Sequence, residues 1–190
     1  MVYLISDIKN TNPVENERYF FDANVWLAIL YSFYNEPYYH AYKIFFNKII
    51  NNKIAPSARI VMPSLLVSEL INRIIRDIYF YEFCNDNGIT KNALNFKTVY
   101  RKAPEYVSDF DEVCSGIRDY ENKIDFVSDG VDGYKCEHLI KDIPHHLDFN
   151  DFVYSKIAKR EDLILVTNDA DFKVENIRIL TTHQALISLT

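Results

Sequence analysis

The length and composition of the chain predict a single compact domain. Its 190 residues are 48% hydrophobic, which is enough to bury a full core. Asp7 precedes any apolar run long enough for a signal peptide, and no stretch approaches the roughly 20 apolar residues of a membrane span. The formal net charge of -6 argues against a protein that holds nucleic acid through bulk positive charge. We therefore expect a cytoplasmic protein without a membrane partner.

The first predicted elements follow the order strand, acidic residue, helix. Residues 18–21 (RYFF) form a short apolar run that ends at Asp22, and helical spacing of apolar residues then continues until Pro37. A second helix is predicted over residues 38–50, followed by a short buried strand over residues 59–62 (RIVM). Asp22 therefore stands where a strand passes into a helix.

The middle of the chain is predicted to be largely helical. Residues 64–84 carry apolar side chains at three- and four-residue steps, with Glu69 in the second turn. The same spacing predicts a helix over residues 104–124, and residues 127–133 (VSDGVDG) are rich in turn-forming residues. We expect residues from about 85 to about 135 to form a helical insertion.

The C-terminal part alternates helices with buried strands. A helix is predicted over residues 147–161, and a strand over residues 163–167 ends just before Asp169. A strand over residues 177–180 and a short helix over residues 183–189 follow. This alternation favours an α/β fold in which helices cover both faces of a mostly parallel sheet.

The predicted organisation is one domain over residues 1–190. Its core would be a three-layer α/β/α sandwich with a mostly parallel central sheet. Residues 1–17 precede the first predicted strand and are expected to form an N-terminal extension.

Four acidic residues are predicted to meet at one edge of this sheet. Ligands of an open α/β sheet bind beyond the carboxyl ends of the strands, where Asp22 and Asp169 lie, and Asp151 and Glu69 fall in the first and second turns of helices. Two bare carboxylates about 4 Å apart repel by roughly 1 kcal/mol in water and about 4 kcal/mol at an effective dielectric near 20. Four such groups therefore need cations or protons, and hard oxygen ligands favour Mg²⁺ or Mn²⁺.

The sequence blocks around these residues resemble those of a known family. The blocks are, in chain order, FFDANVWLAIL, SLLVSELINRI, DFNDFVYSKIA and LILVTNDADF. They resemble the four successive acidic blocks of the PIN domain family and together span nearly the whole chain. By this resemblance, the catalytic and metal-binding residues correspond to Asp22, Glu69, Asp151 and Asp169. Thr167 matches the Thr of the family's T-x-D turn, and Asn24 matches the Asn of its D-x-N beginning, a donor to a ligand carboxylate.

The resemblance implies a Mg²⁺- or Mn²⁺-dependent nuclease that hydrolyses phosphodiester bonds in single-stranded or structured RNA. It also implies two biological classes, a VapC-like toxin held inactive by a small antitoxin protein or an RNA-processing ribonuclease. A homodimer would follow from family habit. The chain is longer than expected of a minimal member, chiefly between Glu69 and Asp151, which bears more on the toxin class than on the nuclease.

Two ligand positions have neighbouring alternatives. Asp148 competes with Asp151, although Asp148 is predicted to be the N-cap that places Asp151 at the third helical position. Asp171 competes with Asp169, which stands nearer the strand end, and would bind a metal through water. Basic residues on the helix predicted over residues 147–161 are candidates for RNA contact, with a solvated helix face as the competing interpretation: Lys156, Lys159 and Arg160. Arg73 is a further candidate, with an ordinary surface pair to Glu69 as the competing interpretation.

Two other functions compete with the nuclease. A HAD-like phosphatase also places an Asp after its first strand, but it needs a second Asp two residues later, where this chain has Asn24. A non-catalytic PIN-like module that binds nucleic acid or serves as a scaffold would be expected to have lost acidic positions, and none is lost. Metal-dependent hydrolysis requires no 2′-OH, so the preference for RNA over DNA comes only from the resemblance.

Overall fold

A computed structural model describes residues 2–31, 37–51, 53–93, 95–132, 135–141 and 143–190. The chain divides into two compact units. The first combines Met1–Leu66 with Lys123–Thr190, and the second is Val67–Asn122. The predicted N-terminal extension and insertion have different bounds from these units and stay predictions.

The first unit contains a six-stranded sheet. Its strands are β1 (Leu4–Asp7), β2 (Arg18–Phe21), β3 (Arg59–Pro63), β4 (Ile124–Val127), β5 (Ile164–Val166) and β6 (Arg178–Thr181). The strand order is β1-β6-β5-β2-β3-β4, and all five neighbouring pairs are parallel. The predicted α/β fold with a mostly parallel sheet is confirmed, and the described sheet is parallel throughout.

The described residues contain eight α-helices. They are α1 (Ala23–Leu30), α2 (His40–Ile50), α3 (Ser64–Arg73), α4 (Phe80–Asp86), α5 (Pro104–Arg118), α6 (Cys136–Lys141), α7 (Phe149–Arg160) and α8 (Gln184–Ile187). Short 3-10 turns occupy Ile8–Asn10, Pro37–Tyr39, Lys91–Ala93, Tyr100–Lys102 and Glu121–Lys123. Among the residues that the structure describes, no helix is long and apolar enough to span a bilayer.

Strand β2 carries core side chains to both faces of the sheet. Successive strand residues point to opposite faces, and Phe21 meets Phe46 of α2 at 5.4 Å between ring centroids, while Phe20 meets Tyr154 of α7 at 4.9 Å. Phe20 and Phe21 are fully buried, which stabilises the fold by about 1.5–3 kcal/mol for each ring. Helices α2 and α7 therefore pack on opposite faces, as the predicted three-layer sandwich requires.

The second unit is helical and has its own aromatic core. Helix α3 continues through a π-helical segment, Ile74–Tyr79, directly into α4, so the helix predicted over residues 64–84 forms with one widened stretch. Tyr100 packs 5.4 Å from Phe80, and its hydroxyl donates a 2.5 Å hydrogen bond to Asp109. Burial raises the pKa of the Tyr100 phenol, so the donor keeps its proton at neutral pH.

Four predicted segments differ from the structure in their bounds or their content. The helix predicted up to residue 124 ends at Arg118, and Ile124 instead begins β4. Helix α1 ends at Leu30 rather than near Pro37, because the backbone turns extended at Tyr31; residues 32–36 lie outside the described residues. Strand β1 lies within the predicted N-terminal extension. The loop predicted over residues 127–133 begins after Val127, and residue 133 lies outside the described residues.

Candidate functional site at the carboxyl edge of the sheet

Asp22 is held where β2 passes into α1. Its backbone N–H donates to the carbonyl of Val166 in β5 at 2.9 Å, and its own carbonyl accepts from the amides of Val25 and Trp26. Asp22 occupies the N-cap position of α1, yet its carboxylate makes no capping hydrogen bond to the helix in the described residues. Only 4% of the residue is exposed. The carboxylate of Asp22 therefore does not act as the cap of α1.

Thr167 connects Asp22 to Asp169. Its hydroxyl donates to Oδ2 of Asp22 at 2.9 Å and accepts the backbone N–H of Asp169 at 3.0 Å. Thr167 is fully buried, and its single hydroxyl proton is committed to the Asp22 carboxylate. One hydroxyl therefore fixes the carboxylate at the end of β2 and the turn that follows β5.

Asp169 and Asp171 occupy different environments in that turn. Oδ1 of Asp169 accepts the backbone N–H of Asp171 at 2.8 Å, which is the hydrogen bond of an Asx turn. Asp169 is half-buried, whereas Asp171 is exposed. The turn thus places Asp169 next to Thr167 and directs Asp171 outward.

The beginning of α7 has the predicted capping arrangement. Asp148 is the N-cap, with extended backbone, and its carboxylate accepts the N–H of Asp151 at 2.9 Å. Asp151 is therefore the third residue of α7, where the positive end of the helix dipole favours a carboxylate. Asp148 is exposed and Asp151 half-buried.

The direction of α7 places its first turn toward the Asp22 end of β2. At the C-terminal end of α7, Glu161 forms a 3.2 Å ion pair with Arg18, the first residue of β2. Near the middle of α7, Tyr154 packs on Phe20. Moving along α7 toward its N-terminus therefore follows β2 toward its carboxyl end, and Asp151 lies one turn beyond Tyr154.

Tyr42 of α2 organises the neighbouring strand ends and was missed by the sequence analysis. Its hydroxyl accepts the N–H of Thr182 at 2.7 Å and lies 3.0 Å from both the Thr167 carbonyl and Oδ1 of Asn168, either of which can take its proton. Burial raises the pKa of the Tyr42 phenol, so it stays a donor at neutral pH. A buried Tyr hydroxyl needs a hydrogen-bond partner, but this rule applies to any of the 14 tyrosines in the chain. The sequence therefore offered no reason to choose Tyr42.

Asp129 was also missed. Its carboxylate accepts the Ser64 hydroxyl at 2.5 Å and the Leu65 N–H at 3.1 Å, so a residue from the loop after β4 caps the start of α3. Asp129 belongs to the predicted turn segment, whose composition indicated a loop but no contact. The cap fixes where α3 leaves the carboxyl end of β3.

Glu69 and Arg73 lie on the part of α3 that belongs to the second unit. They form an i,i+4 ion pair at 3.7 Å, with the Glu69 side chain 20% exposed and that of Arg73 33% exposed. This is the ordinary pairing expected on a helix surface. The predicted metal-binding role of Glu69 and the predicted RNA contact of Arg73 both stay predictions.

The sequence of the chain matches a known protein family. The profile of the PIN domain family matches residues 19–175. The chain belongs to the PIN domain family. Members of this family are nucleases, which agrees with acidic residues at the carboxyl edge of a parallel sheet.

Two solved structures resemble this PIN domain at low sequence identity. VapBC2 from Rickettsia felis, bound to a DNA fragment from its promoter, is 14% identical with a TM-score of 0.48, covering 86% of this chain and 98% of that chain. PAE2754 from Pyrobaculum aerophilum is 13% identical with a TM-score of 0.44, covering 91% and 96%. No curated protein matches the chain.

Asn24 and Lys156 are the remaining predicted site residues of this PIN domain. Asn24 lies in the first turn of α1 and is half-buried. Lys156 is exposed on α7, with its Nζ 5.0 Å from the centre of the Phe152 ring. The cation–π contact orients the Lys156 ammonium along the helix surface.

The side chains at this edge fit a divalent cation by their chemistry. Asp22 and Asp169 offer carboxylate oxygens, the ligands that Mg²⁺ prefers, and a carboxylate as buried as Asp22 needs compensation by hydrogen bonds or a cation. Among the described residues, no group of three or more His, Cys, Asp or Glu side chains is arranged to hold a metal ion. The convergence of all four predicted ligands therefore stays a prediction. Bare carboxylates repel one another, so such a cluster would need a cation.

Proposed function

We propose that this PIN domain is a Mg²⁺- or Mn²⁺-dependent ribonuclease that hydrolyses phosphodiester bonds in RNA. The observation that carries the proposal is the Asp22–Thr167–Asp169 chain of hydrogen bonds at the carboxyl ends of β2 and β5. The choice of RNA is supported by family resemblance.

The proposed ligands are supported in different ways. Asp22 and Asp169 are supported by their shared contact with Thr167, and Asp151 by the direction of α7. Glu69 is included on the sequence pattern alone, and Asp148 and Asp171 stay alternatives, Asp171 through a water.

The protein residues would act by orientation. Thr167 holds Oδ2 of Asp22, which limits rotation of that carboxylate, and the Asx turn fixes Asp169 through Asp171. We assign Asn24 as a further donor to a ligand carboxylate. A bound Mg²⁺ or Mn²⁺ supplies a Lewis acid that activates water and neutralises charge on the leaving oxygen.

Titration calorimetry with MnCl₂ and cleavage of a labelled single-stranded RNA test the proposal together. We expect Asp22→Asn to weaken Mn²⁺ binding at least tenfold and to abolish cleavage, because it removes a ligand charge while keeping the side-chain shape. Asp86→Asn, at the end of α4, changes the charge equally and should leave both unchanged. Absence of Mn²⁺ binding to the wild type at millimolar metal would refute the metal site.

The neighbouring alternatives separate in the same titration. Asp151→Asn and Asp169→Asn should each lower Mn²⁺ affinity, whereas Asp148→Asn should not, because Asn retains the capping acceptor. Asp171→Asn should have a smaller effect than Asp169→Asn. Glu69→Gln is the only test of the fourth ligand, and unchanged affinity would remove Glu69 from the site.

Substrate and biological class need separate experiments. RNA and DNA oligonucleotides of the same sequence compare the two substrates, and faster DNA cleavage would contradict the RNA assignment. If the protein is a toxin, we expect its expression to arrest growth. A small protein encoded beside this gene should restore growth and copurify with the PIN domain. Cleavage without arrest favours an RNA-processing ribonuclease, and RNA binding without cleavage favours a non-catalytic module. Light scattering tests the proposed homodimer.

A further inference from the structure

A basic pocket of about 340 Å³ lies beside α7 in the first unit. Three segments line it: the residues just before α7, one face of α7, and the connection from β5 to β6. The polar side chains that line it include His146, Ser155, Lys156, Lys159, Lys173 and Glu175. We call this the α7 lysine pocket.

The charge of the α7 lysine pocket opposes that of the chain. Lys156, Lys159 and Lys173 line it, with Glu175 as its one carboxylate, whereas the chain as a whole carries -6. All three lysines are exposed, so their side chains are accessible to a ligand. A local positive pocket on an acidic protein selects an anionic ligand by position rather than by bulk attraction.

The lysines come from two separate segments of the chain. Lys156 and Lys159 are three residues apart on α7 and therefore share one helix face. Lys173 comes from the connection between β5 and β6, where its N–H donates to the Asp171 carbonyl at 2.7 Å. Two separate segments of the chain thus contribute lysines to the lining of one pocket, and a cation of this kind binds a phosphate through charge-assisted hydrogen bonds.

Two segments that line the α7 lysine pocket continue along the chain from segments that carry proposed ligands. One wall begins at His146 and Leu147, immediately before Asp148 and the α7 turn that carries Asp151. The other continues from the turn that contains Asp169 and Asp171 into Lys173. Lys156 and Lys159 follow Asp151 by five and eight residues, about 7.5 and 12 Å along the helix axis, so a strand that leaves the proposed ligands along α7 would pass the pocket.

We propose that the α7 lysine pocket binds backbone phosphates of the nucleic-acid strand on one side of the cleaved bond. The proposal rests on the proposed nuclease function, and it joins Lys173 to the substrate contacts expected of Lys156 and Lys159. Phosphate contacts of this kind fix the register of the strand without reading its bases.

Fluorescence anisotropy with a labelled single-stranded RNA, in EDTA to prevent cleavage, tests the α7 lysine pocket. The variant Lys156→Gln/Lys159→Gln/Lys173→Gln should weaken binding at least tenfold. The plot of log K against log salt should become shallower by about 2, since each phosphate contact on a single strand contributes about 0.7. Replacement of the same lysines by Arg should retain binding.

A charge-matched control separates the pocket from net charge. Lys9→Gln/Lys53→Gln/Lys97→Gln removes three exposed positive charges elsewhere and should stay within twofold of the wild type. Equal weakening by both triple variants, unchanged binding by the pocket variant, or no binding by the wild type would each overturn the proposal.

Cleavage kinetics distinguish failure of the pocket from failure of the nuclease. With active enzyme, the pocket variant should raise KM at least tenfold and leave kcat within twofold, because the lysines bind the strand away from the reacting phosphate. If no protein cleaves RNA, the nuclease proposal fails, while the anisotropy result still decides whether the pocket binds the strand.

Discussion

Replacement of Tyr42 by Phe is the sharpest test of how the site is supported. The ring would stay in place, while the Thr182 N–H would lose its acceptor and either the Thr167 carbonyl or Oδ1 of Asn168 would lose a donor. Leaving buried polar groups without partners costs about 1–3 kcal/mol each. We therefore expect a net loss of about 2 kcal/mol of folding stability.

Urea denaturation followed by circular dichroism measures this loss. With an m-value of about 2 kcal/mol per molar urea, the midpoint should fall by about 1 M. Tyr19→Phe is the matched control, because the Tyr19 hydroxyl accepts one N–H, that of Val14, at 2.9 Å. A midpoint for Tyr42→Phe at or above that of Tyr19→Phe would refute the role assigned to the Tyr42 hydroxyl.

Three further predictions follow from the same contacts. Thr167→Val should lower Mn²⁺ affinity by about 10–100-fold, with recovery in Thr167→Ser, because the hydroxyl orients Asp22; equal affinity in all three proteins would contradict this. Asp148→Ala should cost about 1 kcal/mol in urea denaturation and Asp148→Asn much less, since only Ala lacks a capping acceptor. Burial raises the folded-state pKa of Tyr42 above its ordinary 10.0, so its stabilising contribution is full below pH 10 and lost as pH rises further. Between pH 9 and pH 11, the urea midpoint should fall less for Tyr42→Phe than for the wild type.

The sequence predicted the elements that bury continuous apolar runs. Strands β2, β3, β5 and β6 were predicted in this way, whereas β1 and β4 were missed. Both missed strands have four residues and lie at the edges of the sheet, where Leu4 is 47% and Phe126 is 66% exposed. An edge strand buries too little to leave a periodic signal, so its pairing depends on the rest of the sheet.

Local chemistry predicted part of the candidate site. The cap at Asp148 follows from an Asp three residues before another helix-start acid, and it is present as predicted. The hydroxyl of Tyr42 and the carboxylate of Asp129 contact residues 125 and 65 positions away, respectively. No local periodicity encodes such contacts, because they depend on which strands become neighbours.

The hydrogen bond between Thr167 and Asp22 has a consequence for synthesis of the chain. Its two residues are 145 positions apart, so forming it closes a loop whose length-dependent entropic cost is about 4 kcal/mol. A growing chain therefore exposes Asp22 long before its hydroxyl partner exists. Truncated products that end before β5 would carry the first carboxylate without Thr167 or Asp169, so incomplete translation would not release an active nuclease.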